Sequence, residues 1–99
     1  MSAPEHLTPG AATVWAEIEA RWVEAGAEFV RIVSPDLEAY CEQAAIVRTT
    51  SARVQAEGTI IADPKGAPVP HPALEVGRKA QAELRAWGGR FDPPRRRAR

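Results

Sequence analysis

The sequence is poor in the residues that build most catalytic and metal centres. It has one cysteine, Cys41, and two histidines, His6 and His71, among 99 residues. A single cysteine excludes an internal disulfide and is typical of a reducing compartment, so the cytoplasm is the expected location. No cysteines and histidines have the spacing of zinc ligands. Gly88-Gly89 lacks the Lys-Ser/Thr pair of a nucleotide-binding loop. We therefore predict a protein that is not an enzyme and needs no cofactor.

Long hydrophobic stretches are also missing. No segment approaches the ~20 apolar residues that a membrane-spanning helix needs. The first residues, Met1–His6, lack the basic start and apolar core of a secretory signal. We expect a soluble protein with no membrane partner. A chain of 99 residues predicts one domain with one modest core.

Three residue sets that could carry chemistry have simpler structural interpretations. Glu38 and Glu42 share a predicted helix face, but no third ligand converges, so a solvated face is favoured over a cation site. His71 lies between two prolines and is predicted to pack and hydrogen-bond at a helix start. Cys41 is interpreted as a small apolar residue on a buried helix face.

The apolar residues predict an all-α fold with three main helices. Trp15, Ile18 and Trp22 recur at helical spacing in a first helix over about 11–25. A third helix is predicted to open at His71-Pro72 and to run to Trp87, with small residues along one side.

The second predicted helix is the longest. Ser34 is a suitable cap, Pro35 fits the first turn, and Asp36 complements the helix dipole. The segment stays compatible with a helix to Glu57 and would span roughly 33 Å. A single partner helix cannot cover that length.

The remaining segments divide the chain into three predicted parts. Residues 1–10 are expected to be a flexible N-terminal arm, and residues 11–91 a helical oligomerisation domain. Within that domain, residues 59–70 are predicted to form a short hairpin or extended flap. Residues 92–99 are expected to form a short basic C-terminal helix or tail.

The net charge of zero hides a strong asymmetry. Residues 1–64 carry four arginines against ten acidic residues, which gives −6. Residues 65–99 carry nine basic residues against three acidic ones, which gives +6. Segregation of this kind indicates a polyanionic partner or electrostatic pairing between copies. A basic tail that only aids solubility is the alternative.

A compact cationic cluster near the C-terminus indicates where a polyanion would bind. Arginine matches phosphate oxygens with two parallel hydrogen bonds and also reaches base edges. We predict DNA contacts from six basic residues, which are Arg90, Arg95, Arg96, Arg97, Arg99 and Lys65. Four aromatic residues are predicted to lie in the core or at a subunit interface, namely Trp15, Trp22, Tyr40 and Trp87.

Taken in order, these segments resemble the small terminase subunit of tailed bacteriophages. The most telling part is His71-Pro72 before a helix, followed about twenty residues later by Pro-x-x-Arg. The other segments that carry the likeness are the helix with Trp15, then Ser34-Pro35-Asp36-Leu37, Tyr40-Cys41, Glu57-Gly58-Thr59-Ile60, Lys65-Gly66, Val69-Pro70, the helix through Ala80 and Leu84, and Phe91-Asp92-Pro93-Pro94-Arg95-Arg96.

The resemblance implies a function that composition alone does not supply. Small terminase subunits assemble into rings, recognise the packaging start on viral double-stranded DNA, and present it to the terminase large subunit. The large subunit carries the ATPase and the nuclease. The resemblance therefore implies three partners (double-stranded DNA, the large subunit and further copies of the chain) in the cytoplasm of a bacterial host.

Two other functions remain open at the level of sequence. One is a helical adaptor that binds only protein and uses its basic tail for solubility or docking. The other is a small DNA-binding regulator, such as an antitoxin-like dimer. A dimeric regulator would bind two half-sites about one helical turn apart, whereas a ring should not show that spacing.

Overall fold

A computed structural model describes residues 2–95 and confirms the predicted mostly helical fold. Three α-helices are joined by a short 3-10 helix and a two-stranded antiparallel sheet. Among residues 2–95, no helix is both long and apolar enough to cross a bilayer. In chain order the elements are α1 (Pro9–Glu24), the 3-10 helix (Phe29–Ile32), α2 (Pro35–Glu57), β1 (Ile60–Ala62), β2 (Pro68–Pro70) and α3 (Pro72–Trp87).

Each α-helix begins with a side-chain acceptor that is followed by proline. The capping residues are Thr8, Ser34 and His71, and each accepts a hydrogen bond from a backbone N–H in the first turn. Proline fits this turn because its missing N–H would have no helical partner. The first helix therefore begins at Pro9, two residues before the predicted Ala11. The helix starts earlier because the Thr8 side chain caps it by accepting a hydrogen bond from the backbone N–H of Ala11.

The hydrophobic core lies at one end of the molecule. It is built by α1, the 3-10 helix and the first half of α2, and the chain returns to it at Phe91. The apolar face predicted for the first helix is buried. Phe29, in the 3-10 helix between α1 and α2, packs into the same core. The buried residues are Leu7, Ala11, Val14, Trp15, Ile18, Trp22, Phe29, Leu37, Cys41, Ala44, Ala45 and Phe91.

The rest of the molecule extends away from this core. Residues 46–83, which we call the distal arm, comprise the second half of α2, the hairpin and most of α3. Only His71 and Ala80 are fully buried within it. The molecule measures 60 × 33 × 21 Å with a radius of gyration of 16.9 Å. A compact 100-residue domain would have a radius of about 13 Å. The elongation follows from the length of α2, which no single helix covers.

The segment before α1 folds back over the start of α2. The Glu42 carboxylate accepts hydrogen bonds from the backbone N–H and the hydroxyl of Thr8, at 3.0 and 2.7 Å. His6 pairs with Glu38, and Leu7 is buried. The two glutamates are thus partly covered by the N-terminal segment, in contrast to the open face that their spacing suggested.

The hairpin is a small antiparallel ribbon that leads directly into α3. Ile61 pairs with Val69 at its centre. The Asp63 carboxylate closes the turn by accepting hydrogen bonds from the backbone N–H groups of Lys65 and Ala67. Gly66 follows with φ of +84°, a conformation that favours glycine.

Candidate nucleic-acid interface

The chain after α3 is fixed to the core by a buried phenylalanine. Phe91 is 4% exposed and packs its ring against Tyr40 and Trp87. The indole Nε1–H of Trp22 donates a buried hydrogen bond of 2.8 Å to the Phe91 carbonyl. We call residues 88–92 the C-terminal anchor. This anchor fixes the position at which the basic C-terminal segment begins.

Arg90, a predicted DNA contact, belongs to the anchor. Its guanidinium forms a 2.9 Å ion pair with Asp36 and lies over the rings of Trp87 and Phe91, at 5.2 and 5.5 Å. The side chain is 55% exposed. A phosphate contact by Arg90 would therefore have to share or displace the Asp36 carboxylate, and this contact stays a prediction.

The arginines of the tail follow the anchor in the sequence. Arg95 is exposed and follows Asp92 by three residues, so its Cα lies within about 11 Å of the anchored chain. The other predicted contacts, Arg96, Arg97 and Arg99, lie outside the described residues.

Lys65 lies apart from this segment. It occupies the exposed turn of the hairpin, before the N-terminus of α3, whereas the anchor follows the C-terminus of that helix. The 16 residues of α3 separate the two places by roughly 24 Å. The structure therefore does not bring Lys65 together with Arg90 and Arg95 in one copy of the chain.

Residues 11–99 match the family model described as "Phage terminase, small subunit". The chain belongs to the phage small terminase subunit family. No curated protein and no solved structure gives a significant match. The family assignment confirms the resemblance deduced from the sequence, and it covers all three helices, the hairpin and the basic C-terminal segment. Small terminase subunits are generally non-catalytic.

Several basic residues of this small terminase chain are already neutralised within the fold. Three arginines form ion pairs with glutamates, which are Arg48 with Glu17, Arg53 with Glu57 and Arg78 with Glu75. The last two pairs are visible in the sequence, because residues three or four apart on a helix are neighbours. The first joins α2 to α1, and the Arg48 guanidinium lowers the pKa of the Glu17 carboxyl.

Two unpaired cations on α3 were overlooked by the sequence interpretation. Lys79 and Arg85 are exposed, and neither lies within ion-pair distance of a carboxylate in residues 2–95. The charge count of the C-terminal third included them, but only the packing of α3 against α2 shows that their side chains face outward. They extend the possible phosphate-binding surface along α3.

The predicted core or interface aromatics fall into two classes. Trp15 and Trp22 are 1% and 6% exposed and lie inside the core, whereas Tyr40 and Trp87 are half-buried against it. Trp15 packs edge-on against Phe29, and its Nε1–H has no partner among the described residues. Whether Tyr40 and Trp87 also meet another subunit stays a prediction.

The single cysteine is in a strongly apolar environment. Cys41 is fully buried on α2, and burial raises the pKa of its thiol to about 11, with Glu42 and Glu38 adding to the effect. The thiol is therefore protonated at neutral pH. Within residues 2–95, no three histidine, cysteine or acidic side chains form a group that could hold a metal ion.

Proposed function

We propose that this chain recognises the packaging start on viral double-stranded DNA and delivers it to the terminase large subunit. Membership of the small terminase family is the observation that carries the proposal. The charge segregation supports it, since the C-terminal third is strongly basic and DNA is a polyanion. We propose that recognition and delivery take place in the cytoplasm of a bacterial host.

The DNA contact would be made by the tail that follows the C-terminal anchor. Arg95, Arg96, Arg97 and Arg99 would bind phosphates, and each neutralised phosphate would release counterions. Arg90 holds the start of the tail against Asp36, so its first role would be positioning. Lys65, at the far end of α3, would reach a different stretch of the same duplex or a duplex held by a neighbouring copy.

The distal arm supports assembly into a homo-oligomeric ring. It has almost no core of its own and exposes Leu74, Val76 and Ile60, which are 39%, 51% and 66% accessible. Clefts of about 460 and 520 Å³ run between α2 and α3. Burial of this apolar surface against another copy would be favourable. The acidic N-terminal two-thirds of one copy would lie near the basic α3 and tail of the next.

Ring assembly would also explain how a tail with few arginines reaches a sufficient affinity for DNA. A few arginines give weak binding on their own, but several copies held together convert later contacts into intramolecular ones. The affinity of the assembly would then exceed that of one subunit without any new type of contact.

The test of DNA binding compares two triple variants by fluorescence anisotropy with duplex DNA over a range of salt concentrations. In the first variant, Arg95, Arg96 and Arg97 are replaced with Ala. In the control, the ion-paired residues Arg48, Arg53 and Arg78 are replaced with Ala. We expect the tail variant to lose affinity and to lower the slope of log K against log salt by about 2–3 per subunit. The control variant should keep both the affinity for DNA and the salt slope of the unaltered chain.

Light scattering after size-exclusion chromatography separates this function from its alternatives. A discrete assembly of many subunits that binds DNA supports the terminase function. A dimer that protects palindromic half-sites would instead identify a regulator. If the chain binds no DNA in any oligomeric state, the result would favour the third function, an adaptor that binds only protein.

A further inference from the structure

The three helix caps are alike in position but differ in chemistry. Thr8 and Ser34 cap α1 and α2 with hydroxyl oxygens, which do not titrate in water. His71 caps α3 with an imidazole nitrogen. Imidazole is the only side chain whose ordinary pKa lies between pH 5 and 8. Of these three caps, therefore, only that of α3 depends on pH through its own acceptor.

The hydrogen bonds of His71 define its protonation state in the fold. Its Nδ1 accepts a 2.9 Å bond from the backbone N–H of Ala73, so Nδ1 carries no proton. Its Nε2 lies 3.0 Å from the Glu57 carboxylate, so Nε2 carries the proton and donates it. The imidazole is thus neutral, with one fixed tautomer, and it is 5% exposed.

We propose that His71 is a pH-sensitive cap that releases the start of α3 when its Nδ1 takes up a proton. A protonated imidazole has two N–H donors and no acceptor. Its Nδ1–H would then point at the N–H of Ala73, so the cap would be lost and two donors would face each other. The positive end of the helix dipole also opposes a cation at this place.

Within residues 2–95, one negatively charged side chain contacts the imidazole. From α2, Glu57 contacts Nε2, and Arg53 binds the same carboxylate. Arg53 and His71 both lower the pKa of Glu57, so the carboxylate stays charged through the range in which imidazole titrates. The hairpin side contributes the apolar Ile61, which lines the same cleft. In the first turn of α3, Glu75 is paired with Arg78.

Loss of this cap would loosen a junction of three elements. The backbone N–H of His71 bonds to the carbonyl of Thr59, at the base of the hairpin. Its side chain joins the C-terminal end of α2 to the first turn of α3. This junction lies in the distal arm, so acid would act on the arm and leave the core, at the other end of α2, unaffected. The inference does not rest on the proposed DNA or assembly function.

Nuclear magnetic resonance of the isotope-labelled full chain tests the proposal directly. Imidazole ¹⁵N shifts report which nitrogen holds the proton, and hydrogen exchange reports the Ala73 amide. Leu37, whose amide is capped by Ser34, is the internal control. We expect an unprotonated Nδ1 at neutral pH. As the imidazole titrates, Ala73 protection should fall about five- to tenfold relative to Leu37, the equilibrium equivalent of one lost cap.

Two variants separate the imidazole from the carboxylate as the sensor. His71→Ser keeps a capping oxygen that does not titrate, so the ratio of Ala73 to Leu37 protection should become independent of pH. Glu57→Gln keeps a hydrogen-bonding oxygen but removes the charge that favours imidazolium, so the transition should move to lower pH.

Several results would overturn the proposal. These are a proton on Nδ1 at neutral pH, an imidazole that stays neutral down to the acid unfolding of the chain, a protection ratio that stays constant through the titration, and a transition that survives in His71→Ser.

Discussion

At the scale of single residues, the close approach of α2 and α3 depends on a glycine. A Cβ atom at Gly77 would lie 2.6 Å from the hydroxyl oxygen of Thr50, far inside van der Waals contact. That hydroxyl is held in place because it donates to the backbone carbonyls of Ile46 and Val47, at 2.8 and 3.1 Å. The absent side chain of Gly77 therefore sets the distance between the two helices of the distal arm.

We predict that Gly77→Ala destabilises the chain although alanine is the better helix former. Overpacking costs roughly 1–3 kcal/mol, and the gain in helix propensity is at most about 1 kcal/mol. Urea unfolding should show a net loss of up to about 2 kcal/mol. In a Thr50→Ala background the same substitution should cost less, because the hydroxyl is gone and only the Cβ of residue 50, 3.3 Å away, stays close. If Gly77→Ala alone stabilised the chain, the Thr50 side chain would have to move away from the added Cβ at little cost.

At the scale of elements, the C-terminal anchor joins parts of the chain that are far apart in sequence. The Trp22 indole on α1 donates to the Phe91 carbonyl, 69 positions later, and Arg90 binds Asp36 in the first turn of α2. Arg21 also lies 3.9 Å from Asp92. The anchor thereby holds the departure point of the basic tail beside the two N-terminal helices.

We predict that Trp22→Phe costs more stability than Trp15→Phe. Both indoles are buried and both substitutions remove the same atoms, but only Trp22 donates a hydrogen bond to a described residue. Trp22→Phe leaves the buried Phe91 carbonyl unsatisfied, which costs about 1–3 kcal/mol beyond the lost packing. Denaturant unfolding of the two variants measures the difference. Equal losses would show that the Phe91 carbonyl finds another donor.

At the scale of the whole molecule, the core and the distal arm differ in how much apolar surface they bury. The core contains nearly all buried apolar side chains, and the arm displays apolar residues on a two-helix scaffold. An arm of this kind gains stability when another chain covers it. Assembly and stability of the arm should therefore be coupled, and both should depend on protein concentration.

We predict that Val76→Glu disrupts assembly and that Val23→Glu does not. The two valines are 51% and 67% exposed on helices, but Val76 lies on the arm and Val23 near the end of α1. A charge buried in a subunit interface is strongly unfavourable, whereas a charge in water costs little. Light scattering at matched concentrations should show smaller particles only for Val76→Glu. Equal effects would place the interface elsewhere.

Local sequence signals determined the elements of this fold and the family. The Ser34-Pro35 start, the stop at Gly58 and the His71-Pro72 start act within one helical turn, so the chain specifies α2 and α3 without distant contacts. The family motifs and the charge segregation are likewise linear properties. Only the tertiary structure showed that Arg90 and Arg48 are also neutralised, since Arg90–Asp36 and Arg48–Glu17 join residues more than 30 positions apart. It also decided that His71 accepts from Ala73 while it donates to Glu57, because that arrangement needs the end of α2 and the start of α3 to meet.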